Sequence, residues 1–335
     1  MLSSNQIKVQ YKPTFIEEYD YKSNMSKEVR PLWDASRPRL LQAVGNINIS
    51  WRRVSCVNPK GIIVLVPAAG SPAIKYQELI YDFVNASYCV YAYDLRGQGF
   101  SQRISNNPHL IHTNKFSDYI FDLERLINHI NQNPDRSLPL IIFGDSFGGL
   151  IATNYLLTHP DSSVQGAVLN NPMFQCPVSN PRLLVQKFIG RFLKFFGWSF
   201  SYAPWQNPPH IPKFEEANTH SKIRFEEFIQ TISRNPNQLF QTGYSVNWLL
   251  ETINAIESTM DNAQKLNRPV RILTGDHSYL SQETFAREAS DCHIFPLKGS
   301  KDDTWDEIEP IRNIALSRIL DQFNELSRSN SKKTP

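Results

Sequence analysis

The chain has little of what marks several protein classes. Its 335 residues include only four cysteines, Cys56, Cys89, Cys176 and Cys292. They are far apart, with no CxxC pair and no metal-type spacing, which argues against a disulfide scaffold or a zinc module. Three lie in or beside strand-like apolar runs, the usual setting of a buried reduced thiol, so a reducing compartment is expected. No apolar run is long enough to span a bilayer. The opening residues, MLSSNQIKVQYKPTF, have no apolar core of signal-peptide length. These absences predict a cytoplasmic protein. The net charge is only +3 and no nucleic-acid-binding motif is present, so no nucleic acid is expected as a partner. There are no internal repeats. The remaining composition, 41% hydrophobic and 20% charged, suits one large domain or a domain with a large insertion.

Apolar spacing gives the organisation. Residues 1–37 read as a polar, irregular N-terminal arm. Residues 39–44 and 47–54 flank Gly45-Asn46 and predict a hairpin. Strand-like runs follow at 62–66, 88–93, 138–143 and 166–169, alternating with helical spacing at 76–84, 116–130 and 148–157. Such alternation implies a mostly parallel, doubly wound α/β sheet. From about 172 to 265 the rhythm stops, and a segment rich in aromatics and prolines reads as helical. The rhythm resumes with strands at 270–273 and 292–297 and helices at 282–289 and 305–326. The expected layout is a core of residues 38–172 and 266–326, a helical cap of 173–265 and a flexible tail of 327–335.

The strongest motif is Gly144-Asp145-Ser146-Phe147-Gly148-Gly149. It fits G-x-S-x-G, with a strand before it and a helix after it. That context puts a serine on a sharp, strained turn whose glycines remove colliding side chains. The helix N-terminus then faces the point where negative charge develops. An oxyanion hole needs a second backbone N–H from the loop after the third strand. That loop is Pro67-Ala68-Ala69-Gly70-Ser71, so Ala69 and Phe147 are the expected donors. Asp94-Leu95-Arg96-Gly97-Gln98-Gly99 reads as a turn that braces neighbouring loops, without chemistry of its own.

Further stretches carry a resemblance. They are Lys75-Tyr76-x-Glu78-Leu79, Asp94-x-Arg96-Gly97-Gln98-Gly99-x-Ser101, Pro108-His109-Leu110 with His112, Phe116-x-Asp118-Tyr119 and Asn171-Pro172-Met173-Phe174. Thr219-His220-Ser221, Gly243-Tyr244 with Trp248, Lys298-Gly299 and the helix at 314–323 complete the set. The chain resembles the bacterial lysophospholipases of the inner membrane, within the monoacylglycerol-lipase-like, serine aminopeptidase-type α/β-hydrolases. The resemblance runs from about residue 30 to 325. It implies the α/β-hydrolase fold, ester hydrolysis of a monoacyl lipid or small ester, a helical lid, and neither metal nor organic cofactor.

One part of the pattern is missing. A serine hydrolase of this fold carries its histidine after the last strand and its acid after the preceding one. The resemblance places that histidine at Asp302 and that acid at Ser278. No histidine follows His293, which lies within the last strand. Three readings stay open. The protein is a catalytically impaired relative that binds lipid or a protein partner. The roles are exchanged, with His277 as base and Asp302 as its acid. Or another histidine, among His109, His112, His210 and His220, approaches Ser146.

The cap holds one unusual segment, 183–200. Lys187, Arg191 and Lys194 share a helical stripe, while Leu184, Val185, Phe188, Ile189, Phe192 and Phe196 lie mainly opposite. Trp198, Phe200, Tyr202 and Trp205 follow. Two readings fit: a cap helix with its apolar face packed on the core, or an interfacial helix in peripheral contact with the inner face of a membrane.

Overall fold

A computed structural model describes residues 15–176, 180–204, 206, 210–276 and 279–328. Eight strands form the central sheet: β1 (Arg39–Gln42), β2 (Asn48–Val54), β3 (Gly61–Val66), β4 (Tyr88–Tyr93), β5 (Leu140–Asp145), β6 (Val164–Asn170), β7 (Val270–Thr274) and β8 (Cys292–Pro296). Their spatial order is β1-β2-β4-β3-β5-β6-β7-β8. The β1–β2 and β2–β4 pairs are antiparallel, and every pair from β4 to β8 is parallel. This is the α/β-hydrolase fold.

The strand sequences explain the two-sided core. Alternate residues of a strand point to opposite faces. In β3, Ile62, Val64 and Val66 join one apolar cluster, while Ile63 and Leu65 join the other. The first cluster is covered by α2 (Ser117–Asn131) and α3 (Phe147–Thr158), the second by α1 (Gln77–Asn85) and α8 (Ile311–Arg328). Helix α3 is apolar nearly all round because it is buried nearly all round. Helix α8 starts later than its spacing predicts. Pro310 precedes it, and a residue before proline is driven out of helical geometry. Trp305 sits instead in the short turn Thr304–Asp306, its ring tilted against that of Tyr76 at 4.7 Å.

The N-terminal arm differs from its reading. Glu18–Asp20, Tyr21–Asn24, Met25–Val29 and Arg30–Ala35 form one helical run. Tyr21, Met25, Val29 and Trp33 recur every four residues and are buried. Their stripe was legible as a helix face, but polar residues between them obscured it. The run lies against Tyr81 of α1 and Ile223 of the cap. It acts as a strap between core and cap.

The insertion after β6 is helical, with α4 (Asn180–Phe195), α5 (Lys222–Arg234) and α6 (Val246–Asp261). One two-residue strand interrupts it: Gly243–Tyr244 pairs with Leu110–Ile111 of the core. Such a short strand carries no periodicity a sequence could show. The last named helix, α7 (Tyr279–Glu288), joins β7 to β8.

Candidate active site

Parallel α/β sheets gather their functional groups where strands end and loops begin. Here β5 ends at Asp145, and α3 begins at Phe147. Ser146, between them, has φ 50° and ψ −109°. A non-glycine residue in such a region is strained by about 1–3 kcal/mol. The surroundings hold it there. Its N–H donates to the Asn170 carbonyl at 2.9 Å, and its own carbonyl accepts from Gly149 and Met173 at 2.9 and 3.0 Å. A Cβ at Gly148 would collide with the carbonyl oxygen of Val66, and one at Gly144 would lie 2.9 Å from that of Gly148. The glycines let α3 start directly against β3 and its loop.

Ser146 lines a cavity of about 620 Å³. Ala69, Lys75, Asn171, Tyr244, Asp302 and Asp303 line it too. In the loop after β3 the Ala68 N–H donates to the Tyr76 hydroxyl at 2.9 Å, and the Gly70 N–H to Gln98 Oε1 at 2.6 Å. The Ser71 N–H donates to the Ala68 carbonyl at 3.1 Å. Among the described residues the Ala69 N–H has no acceptor. The Phe147 side chain is fully buried, edge-on to Tyr119 at 5.2 Å and against Trp248 at 4.9 Å.

The turn at 94–99 braces loops, as its sequence suggests. Asp94 accepts from the N–H groups of Ala73 and Phe100, and Gln98 holds Gly70. Arg96 grips Asp122 through two bonds of 2.7 and 2.6 Å.

Asp302 reaches the cavity in the loop after β8, and its backbone carbonyl is held by the side-chain amides of Asn170 and Asn171 at 2.9 and 2.6 Å. His277 and Ser278 lie outside the described residues. Among the described residues Ser146 Oγ makes no hydrogen bond. The four further candidates, His109, His112, His210 and His220, are held elsewhere, and none lines the cavity. His109 Nδ1 bonds the Phe240 carbonyl, and His112 Nδ1 bonds Ser245 Oγ, both at 2.8 Å. His210 lies 3.0 Å from Glu216, and His220 2.9 Å from Glu307. These contacts weigh against the reading in which one of them serves Ser146.

A charged group beneath the serine was not singled out from sequence. Lys75 pairs with Asp303 at 2.7 Å. Burial works to lower the Lys75 pKa, but Asp303, Asp306 and Asp145 outweigh it and keep the ammonium charged. Burial pushes Asp145 up to about 6, with the nearby Asp303 adding to the rise and Lys75 opposing it. Burial likewise pushes Asp306 up to about 8, with Lys75 opposing the rise. The available signal was topological: Asp145 and Asn170-Asn171 end adjacent parallel strands, on the edge where such sites form.

Fold and strand–serine–helix turn together define an α/β-hydrolase. The chain belongs to the family described as serine aminopeptidase, S33, whose model matches residues 57–294. Among individual relatives, it is 26% identical to lysophospholipase L2 of Escherichia coli strain K12, over 88% of this chain and 90% of that protein. It is also 26% identical to a probable lysophospholipase L2 of Haemophilus influenzae, over 74% of this chain and 78% of that one. A soluble variant of the monoglyceride lipase of Saccharomyces cerevisiae, solved with a substrate analogue, superposes with a TM-score of 0.69 at 16% identity, covering 87% of this chain and 96% of that one. At that identity the likeness speaks for the fold alone.

Proposed function

We propose that the protein is a lysophospholipase-like serine hydrolase that cleaves the carboxylic ester of a monoacyl lipid through an acyl-Ser146 intermediate. The carrying observation is Ser146 held at positive φ beside a roomy cavity, with the Ala69 N–H left without an acceptor. His277 is the base, oriented by Asp302, in an exchange of the usual loop positions; a triad is defined by geometry and not by chain order. His277 takes the hydroxyl proton as Ser146 Oγ attacks the ester carbonyl. The carbonyl electron pair moves onto oxygen, where the N–H groups of Ala69 and Phe147 stabilise it. Collapse expels the lipid alcohol, which receives the proton from His277. Water then repeats the sequence and releases the fatty acid.

A fluorophosphonate probe tests this reading. The wild-type protein should be labelled, and a monoacyl lipid should compete. His277→Ala should keep its fold and label on the order of a thousandfold more slowly, the size of a general-base contribution. Unchanged labelling in His277→Ala would remove that residue from the site. A folded wild-type protein that takes no label at all would sink the hydrolase reading.

We also propose that residues 183–200 touch a lipid surface. No described helix is long and apolar enough to cross a membrane, so the contact would be peripheral. The support is which way α4 faces. Lys187 pairs with Glu257 of α6 at 2.6 Å, and Lys194 lies 3.7 Å from Glu251. Lys187 and Lys194 thus turn toward α6, while Phe188 and Phe195 are 73% and 84% exposed. Burying each ring contributes about 1.5–3 kcal/mol. Co-sedimentation with anionic liposomes should therefore fall roughly a hundredfold in Phe188→Asp/Phe195→Asp and respond more weakly to salt. Equal binding by that variant and wild type would refute the contact.

A further inference from the structure

The nucleophile elbow, the loop after β3 and the loop after β8 are separate in sequence and meet only in the fold. We propose that Tyr76 and Asp145 are positioning residues that fasten the three to one another and so set the oxyanion geometry. The inference rests on the reading of Ser146 as nucleophile.

The hydrogen bonds form one chain. The Ala68 N–H donates to the Tyr76 hydroxyl at 2.9 Å. That hydroxyl donates to Asp145 Oδ2 at 2.7 Å. The other oxygen, Asp145 Oδ1, accepts from Asn170 Nδ2 at 2.7 Å. Asn170 Nδ2 also reaches the Asp302 carbonyl at 2.9 Å, and Asn170 Oδ1 accepts from the Thr304 hydroxyl at 2.5 Å. Every named side chain in the path is buried, and the Tyr76–Asp145, Asp145–Asn170 and Asn170–Thr304 bonds are made away from competing water.

The chemistry of each position is constrained. Tyr76 must accept and donate at once, which a hydroxyl does and a phenyl ring does not. Asp145 accepts on both oxygens, which suits a carboxylate and not a protonated acid. Its charged neighbours are Lys75, from the turn before α1, and Asp303, from the loop after β8. Ala68 is the residue before the proposed oxyanion donor, and the Ser71 bond to its carbonyl closes the turn. The Ala68 carbonyl and the Ala69 N–H share one peptide plane, so the Ser71 bond sets the tilt of that N–H, and the Tyr76 bond anchors the residue from which the plane extends. Asp145 directly precedes Ser146, so the same bond holds the opposite wall of the site.

The test pairs Tyr76→Phe with Asp145→Asn. In Tyr76→Phe, kcat should fall about ten- to a hundredfold while KM stays within about twofold, because an oxyanion donor moved out of place costs transition-state and not ground-state binding. Amides of residues 68–71 should exchange faster with deuterium, while those of β5 do not. Asp145→Asn places an amide N–H₂ against either the Tyr76 hydroxyl or the Asn170 amide. It should loosen residues 302–304 as well. Failure of the nucleophile reading would appear separately, as a wild-type protein that takes no fluorophosphonate label. In that case the amides alone decide: faster exchange at 68–71 sustains the tie, and unchanged exchange overturns it. With an active wild type, unchanged amides or a rise in KM at constant kcat in Tyr76→Phe also overturns it.

Discussion

Replacing Ser146 by alanine is expected to abolish ester turnover and fluorophosphonate labelling together, with kcat falling by a factor on the order of a million. That is the scale seen when the nucleophile of a serine hydrolase is removed, with only binding and the oxyanion hole left. The fold should survive, because the turn is built from backbone bonds to Asn170, Gly149 and Met173 that alanine retains. A companion change separates strain from chemistry. Ser146→Gly should also be inactive, but more stable than Ser146→Ala by about 1 kcal/mol, because glycine carries no Cβ at φ 50°. Turnover and thermal unfolding of the two variants check this. Residual labelling of Ser146→Ala would place the nucleophile elsewhere. An equal or lower stability of Ser146→Gly would mean that the turn stores no strain.

Replacing Arg224 by alanine is expected to cost about 3–5 kcal/mol of folding stability, the cost of leaving buried charges without their partner. Arg224 on α5 is fully buried. It pairs with Glu78 of α1 at 3.0 Å and with Glu309 at 3.2 Å. It also donates to the carbonyls of Ile16 and Glu307 at 3.1 and 3.2 Å. Arg312 holds Glu78 and Asp82 from the other side, at 3.0 and 2.6 Å. Arg30 of the strap pairs with Glu227 of the same cap helix at 2.6 Å, and Glu18 bonds Ser221. One guanidinium therefore ties strap, core and cap. Without it the carboxylates of Glu78 and Asp82 share Arg312 alone. Urea unfolding measures the loss, and hydrogen exchange shows where it falls. The amides of α5 should open well before those of β3 and β5. A loss below about 1 kcal/mol would mean that the network contributes no net stability.

Much of the scaffold was legible because it rests on local rules. Apolar runs of four to six residues, separated by helical spacing, marked β3, β4, β5 and β7, whose described residues are buried. The elbow could be read because its glycines answer a steric demand between neighbours in sequence. The strap was missed although Tyr21, Met25, Val29 and Trp33 signalled it, since nothing in residues 1–37 says what that stripe would cover. The facing of α4 could not be read either. Its apolar and basic sides were plain, but either could pack inward. The choice fell to Glu251 and Glu257 on α6, more than fifty residues away, which draw Lys194 and Lys187 toward that helix.

The elbow motif and the absence of any histidine after His293 belong to the sequence by itself, because both depend only on which residues follow one another. So does the alternation that makes the sheet parallel. The tertiary structure decided what stands around the serine. It brought Tyr76, Asp145, Asn170 and the Asp302 loop into one hydrogen-bonded path from four distant stretches of chain. It also set the protons: burial beside Asp303 raises Asp145 to about 6, and burial raises Asp306 to about 8. Desolvation and through-space charge depend on what the folded chain places nearby, and spacing along the chain does not record that.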